Sequence, residues 1–160
     1  GWYMEMQALG YNYRIPDMLC ALGISQLSRA DEGLARRKEI ARVYDQAFAG
    51  FAGIAVLGTS EEALNVEGET GHAYHLYVIQ VEDRKGLYDL LREHSIFAQV
   101  HYIPAHTMPY YRSLGYKQGD FPEAERYYSR CLSLPMYPTL TDVEQAFVIE
   151  KVKQFVANGK

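Results

Sequence analysis

The spacing of apolar positions changes several times along the chain, and each change predicts an element. Pro16 suits the first position of a helix, where its missing N–H costs nothing. The run after it, Met18-Leu19-Cys20-Ala21-Leu22-Gly23-Ile24, is apolar on every face and predicts a helix buried on most sides. From about Ala30 to Phe48, Leu34, Ile40, Ala41, Tyr44, Ala47 and Phe48 recur at three- and four-residue steps. Arg36, Arg37, Lys38 and Arg42 fall largely on the other faces and read as a solvated basic side. Ile54–Leu57 predicts a short strand, and Tyr74–Val81, aromatic and β-branched with no breaker, predicts a longer one. Asp83 can cap a helix over Arg84–His94 with Leu87, Leu90 and Leu91 inward. A third strand is expected over Phe97–Ile103.

Pro104–Gly119 is irregular and rich in tyrosine, and Asp120 with Pro122 opens a short helix ending at Arg130. Leu134-Pro135-Met136-Tyr137-Pro138 must be extended, because each proline disfavours helix at the residue before it. Thr141 and Glu144 form a capping box ahead of a last helix with Val143, Phe147, Val152 and Phe155 on one stripe. The sum is an α+β layer: about five helices on a small, mostly antiparallel sheet.

Composition bounds what such a layer can do. The 160 residues are 48% hydrophobic and 22% charged, globular rather than disordered. A net charge of −4 argues against a general grip on nucleic acid. No apolar run approaches the roughly 20 residues of a membrane span, and the first residues do not resemble a signal peptide. Opening at Gly1 with Trp2-Tyr3-Met4-Glu5-Met6, the chain reads as a piece of a longer protein. Cys20 and Cys131 sit among apolar neighbours and read as buried free thiols of a reducing, cytoplasmic setting. The 14 tyrosines suggest surfaces that meet another domain, subunit or ligand.

Several chemistries find no support. His72 and His75 are three apart, which in a strand puts them on opposite faces, and neither CxxC nor HExxH occurs, so no metal site is expected. GxSxG, Walker A and GxGxxG motifs are absent, and both cysteines lie where a thiolate is disfavoured. Two segments keep a functional alternative open. His101-Tyr102-Ile103-Pro104-Ala105-His106 ends a predicted strand in an aromatic loop: it either closes the sheet or offers imidazole and phenol donors to phosphate or sugar. Gly10-Tyr11-Asn12-Tyr13-Arg14 delivers an amide, a phenol and a guanidinium just ahead of a helix: it is either a structural turn or an anion site.

At that second motif the chain resembles the DegT/DnrJ/EryC1/StrS sugar aminotransferases. The agreement runs through Asp17-Met18, Ala21-Leu22-Gly23, Gln26-Leu27, Arg36-Arg37, Ala41 and Tyr44, His75-Leu76-Tyr77, His101-Tyr102-Ile103-Pro104 and His106, Pro109-Tyr110-Tyr111, Gly115-Tyr116, Ala124-Glu125, and Leu132-Ser133-Leu134-Pro135-Met136-Tyr137-Pro138. The ordered set covers nearly the whole chain and is most similar to the branch that makes UDP-4-amino-4,6-dideoxy-N-acetyl-altrosamine on the pseudaminic acid route. The resemblance implies the C-terminal part of a fold type I enzyme. Residues 1–50 would lead out of the large domain along an interface, and 51–160 would form the small α+β domain.

The resemblance also implies a cofactor and partners. Pyridoxal 5'-phosphate (PLP) would be held by the large domain, whose covalent lysine lies upstream of Asn12. The first lysine here, Lys38, comes after that motif, so no catalytic residue is expected in this chain, which alone should be inactive and free of PLP. The reaction implied is amino transfer from glutamate to a nucleotide-linked keto-sugar of the UDP-4-keto-6-deoxy-HexNAc type, in a homodimer with shared active sites. Asn12 would bind the PLP phosphate of the partner subunit. Tyr13, Arg14, His101, Tyr102 and His106 would line the substrate. Two alternatives remain: a non-catalytic sugar-nucleotide-binding or assembly domain, and a PLP-dependent sugar dehydratase of the same family.

Overall fold

A computed structural model describes residue 11 and residues 13–57 and 71–159. The elements in chain order are α1 (Asp17–Leu27), α2 (Ala30–Phe48), β1 (Ala55–Val56), β2 (Tyr77–Gln80), α3 (Arg84–Glu93), a 3-10 turn (Ala105–Thr107), α4 (Pro109–Ser113), α5 (Pro122–Arg130), β3 (Cys131–Leu134) and α6 (Asp142–Asn158). The α+β class holds: the described residues form six α-helices and a three-stranded antiparallel sheet of order β1-β2-β3. The chain divides into two compact units, Gly1–Glu32 and Gly33–Lys160, so most of α2 belongs to the second.

In the first unit α1 starts on Pro16, whose carbonyl accepts from the Leu19 and Cys20 amides. The helix forms where expected, but none of its residues is buried, and Cys20 is exposed. This corrects the expectation of a helix enclosed on most sides. Its apolar residues encircle the axis.

The second unit is built around β2 and β3. Tyr77 and Ile79 point into the core while Val78 and Gln80 are half-buried, the period-two pattern of a strand. The strand is shorter than its sequence signal because Tyr74 has φ of 48°, in the left-handed region that no strand uses. β3, unforeseen as a strand, pairs Tyr77 with Leu134 and Ile79 with Leu132, and all four of its residues are buried.

The expected strand over 97–103 shrinks to one bridge, Gln99 to Ser133, with the two amides and carbonyls exchanging bonds of 3.0 and 2.7 Å. The antiparallel ladder stops there for identifiable reasons. The next bonded pair in one direction would need an N–H from Pro135, which has none. In the other direction it would need the Cys131 N–H, which already donates to the Tyr127 carbonyl at the end of α5.

α2 covers the sheet with Ile40, Ala41, Tyr44 and Phe48. The Tyr44 ring stacks on Tyr77 at 4.7 Å, and its hydroxyl donates to the Pro135 carbonyl. The Tyr77 hydroxyl donates to Asp45 at 2.7 Å. Part of the basic face is structural rather than merely solvated. Arg36 reaches the Leu140 carbonyl and Asp142, and Arg37 donates to the Tyr74 and Met136 carbonyls at 3.0 and 2.9 Å.

The caps read from the sequence are present: Asp83 accepts from the Gly86 amide, and Thr141 with Glu144 makes the full capping box. α3 and α6 meet at Gly86, where a Cβ would lie 2.8 Å from the Phe155 ring, so this position needs glycine. The inward stripe of α6 differs from the expected one. Gln145, Val148 and Val152 are buried, whereas Val143 is 80% exposed and Phe147 39%. Gln145 turns inward because its amide donates to the Ile40 carbonyl of α2 at 2.8 Å, which satisfies a buried polar group. Among the described residues no helix is long and apolar enough to cross a membrane.

Two stability predictions follow from this core. Leu91→Ala should cost about 2–5 kcal/mol in urea unfolding, whereas Val143→Ala should stay within about 0.5 kcal/mol. Burial, and then the hydrogen bond to Asp45, raises the Tyr77 phenol above its ordinary value of 10.0; burial raises that of Tyr44. The folded chain holds these protons where the unfolded chain releases them, so their contribution is complete below pH 10.0 and is lost as pH rises above it. Unfolding midpoints should fall on the alkaline side, and Tyr77→Phe should flatten the fall.

Candidate functional site

Past Gln99 the chain leaves the sheet as a strap over residues 100–104. The bridge at Ser133 places His101 beside that serine, with Nδ1 2.9 Å from Ser133 Oγ. The Tyr102 ring meets the His101 ring edge-on at 4.5 Å and is itself 69% exposed; the peptide between the two residues is cis. The strap thus presents an imidazole and a phenol together, one braced on the sheet and the other open to solvent.

Pro104 then enters the 3-10 turn, closed by Thr107, whose amide and hydroxyl both donate to the Pro104 carbonyl. His106 in this turn is only 7% exposed, and its Nε2 lies 2.8 Å from Glu125 Oε1 on α5. The same carboxylate oxygen accepts from the Gly119 amide at 2.7 Å, and the His106 ring packs on Phe121 at 4.9 Å. The hydrogen bond from His106, and then that from Gly119, holds the Glu125 carboxyl below its ordinary value. His106 was expected at the substrate; in the structure its Nε2 engages Glu125.

His101 lines a cavity of about 380 Å³, within the range of about 300–1,000 Å³ usual for small-molecule pockets. His75, His94, Gln99, His101, Ser133 and Glu144 are among its polar lining, with Phe147 among its apolar walls. Arg37 holds two of the segments that line it, through the Tyr74 and Met136 carbonyls. Cys131 is buried, which pushes its thiol pKa up and leaves it a poor nucleophile. Among the described residues no group of three or more His, Cys, Asp or Glu is placed to hold a metal.

The other expected donors belong to the first unit. Asn12 lies outside the described residues. Tyr13 is 85% exposed, its ring 5.4 Å from that of Tyr11, and Arg14 is exposed. A phenol and a guanidinium held open to solvent are donors suited to anionic oxygens such as a cofactor or substrate phosphate. Ser133, Glu125 and Arg37 organise the second unit, although none was named as a site residue from the sequence. The available signal for Ser133 was a hydroxyl inside the apolar run Leu132-Ser133-Leu134.

Comparison with known proteins gives these residues a setting. The DegT/DnrJ/EryC1/StrS aminotransferase family model matches residues 2–153. The spore coat polysaccharide biosynthesis protein SpsC of Bacillus subtilis is 39% identical over 97% of this chain and 40% of its own length. The UDP-4-amino-4,6-dideoxy-N-acetyl-beta-L-altrosamine transaminase of Campylobacter jejuni is 30% identical over 96% of this chain and 42% of its own. The solved structure of Spr1654 from Streptococcus pneumoniae in its PLP form superposes with a TM-score of 0.83 at 29% identity, covering 99% of this chain and 40% of that one. The chain therefore spans about two-fifths of the length of the curated relatives it matches. With a match that runs from residue 2 to residue 153 and a fold shared with solved aminotransferases, the chain belongs to the DegT/DnrJ/EryC1/StrS aminotransferase family.

Proposed function

We propose that this chain is the C-terminal part of a PLP-dependent aminotransferase that moves an amino group from glutamate to a nucleotide-linked keto-sugar. One observation carries the reading: the family match spans residues 2–153, and so takes in both the motif before α1 and the strap. The name of the Campylobacter relative supports a UDP-linked 4-keto-6-deoxy-N-acetyl sugar as the acceptor.

Within that reading the residues divide by chemistry. Asn12, Tyr13 and Arg14 offer neutral and cationic donors ahead of α1, with Asn12 assigned to the cofactor phosphate of a partner subunit and Tyr13 and Arg14 to substrate oxygens. His101, braced by Ser133, and the exposed Tyr102 present donors for the sugar nucleotide. His106 serves the same strap through Glu125. PLP, when bound, supplies the electron sink for amino transfer. The lysine that holds it covalently lies outside this chain. A homodimer would cover the apolar surface of α1, where Met18 and Leu27 are exposed. The free cysteines suit a reducing cytoplasm.

The full-length protein, given PLP, L-glutamate and a UDP-4-keto-6-deoxy-N-acetylhexosamine, should release 2-oxoglutarate with parallel-line kinetics. This chain alone should take up no PLP absorbance in the visible and release none. Arg14→Ala in the full-length protein should raise KM roughly ten- to a hundredfold, the loss of a charge-assisted hydrogen bond. Saturable sugar-nucleotide binding with no transfer would favour a binding module. Loss of water from the sugar without any need for glutamate would favour a dehydratase.

A further inference from the structure

The strap that carries His101 and Tyr102 has little backbone support. Its ladder ends at Gln99, because the Cys131 N–H that would extend it is spent on the Tyr127 carbonyl. From residue 100 to residue 104 the chain lies outside any element. Apart from one sulfur contact, Cys131 Sγ to the His101 carbonyl at 3.7 Å, its position is set by anchors at its two ends. At the near end stand the Gln99–Ser133 bridge and the His101–Ser133 contact. At the far end, four residues beyond Tyr102, stands His106, buried and bonded to Glu125.

The far anchor has one acceptor at its centre. Glu125 Oε1 takes both the His106 ring at 2.8 Å and the Gly119 amide at 2.7 Å. It thereby joins the 3-10 turn, the turn before α5 and α5 itself. The Phe121 ring closes the other side of the imidazole. Glu123, two residues earlier on the same helix, is an exposed partner of Arg126 and touches none of this.

We infer that Glu125 is a positioning residue for sugar-nucleotide binding: acting through His106, it fixes the strap at the place where His101 and Tyr102 meet the substrate. The inference rests on the proposed function for the identity of the substrate, but not for the geometry of the anchor. One oxygen set against two donors at once calls for the full length of a glutamate side chain. Gln keeps that length and an oxygen that accepts from both donors. Asp keeps the charge and falls a methylene short.

The test is steady-state kinetics of the full-length enzyme with each substrate varied separately. Glu125→Asp should raise KM for the sugar nucleotide at least fivefold, with KM for glutamate and kcat within twofold of wild type. Glu125→Gln should stay within twofold on all three, and Glu123→Ala should change nothing. In enzyme labelled isotopically on histidine, the imidazole signals of His106 and His101 should both move in Glu125→Asp and hold in Glu125→Gln.

An unchanged sugar-nucleotide KM in Glu125→Asp would overturn the inference. So would an equal loss for both substrates, which marks a merely structural residue, or a Glu125→Gln enzyme as impaired as Glu125→Asp. If the wild-type enzyme transaminates no sugar nucleotide, the proposed function fails separately. In that case the His101 signal still decides whether Glu125 fixes the strap: movement in Glu125→Asp upholds the positioning, and no movement ends it.

Discussion

Everything in the second unit depends on how β3 spends its backbone hydrogen bonds. A strand buried at all four positions must pair its polar groups, since an orphaned buried amide or carbonyl costs about as much as a lost hydrogen bond. β3 pairs with β2 along one edge and through Ser133 with Gln99 on the other. It can do no more on that second edge, because Pro135 lacks a donor and Cys131 has committed its own to α5. A longer β3 would have drawn residues 97–103 into a fourth strand. The short one releases them after a single bridge, and that release turns His101 and Tyr102 into presented groups rather than sheet residues.

This constraint also explains which parts of the fold were legible in the sequence. Helices whose start is chemical were clear: Asp83 before α3 and Thr141 with Glu144 before α6 announce themselves through side chains that must accept backbone amides. β3 was hidden because Cys131-Leu132-Ser133-Leu134 is too short to show a period and sits between a helix end and a proline run. The phase of α6 is not legible from its apolar spacing because a polar residue, Gln145, faces the core. Only the Ile40 carbonyl, 105 residues away in sequence, gives it a reason to do so. Arg36 and Arg37 resemble a solvated face in sequence for the same reason: their partners are carbonyls contributed by distant segments.

The candidate site divides similarly. Donors at a strand end can be read from residue type and position, so His101 and Tyr102 stood out. What a histidine bonds cannot be read that way. His101 and His106 are five apart and chemically identical, yet one lines the cavity and the other is buried against Glu125. Nothing local separates them; the difference comes from α5 packing over the second and not the first. Glu125 carries no local signal of its role, because an acidic residue early in a helix already has an ordinary explanation in the helix dipole.

α1 shows the opposite use of apolar residues. The second unit buries its large side chains against one another and needs no further layer to explain Ile40, Leu87, Leu91 or Val152. α1 has Met18, Leu19, Leu22, Ile24 and Leu27 all exposed, with no face reserved for water. Burying such a side chain is worth about 1.5–3 kcal/mol, so the group represents several kcal/mol of unrealised stabilisation. A helix serving only as a spacer would carry a polar stripe. One that is apolar all round is built to be covered from more than one direction. The motif that holds Tyr13 and Arg14 runs directly into this helix, so covering it would also fix where those donors point.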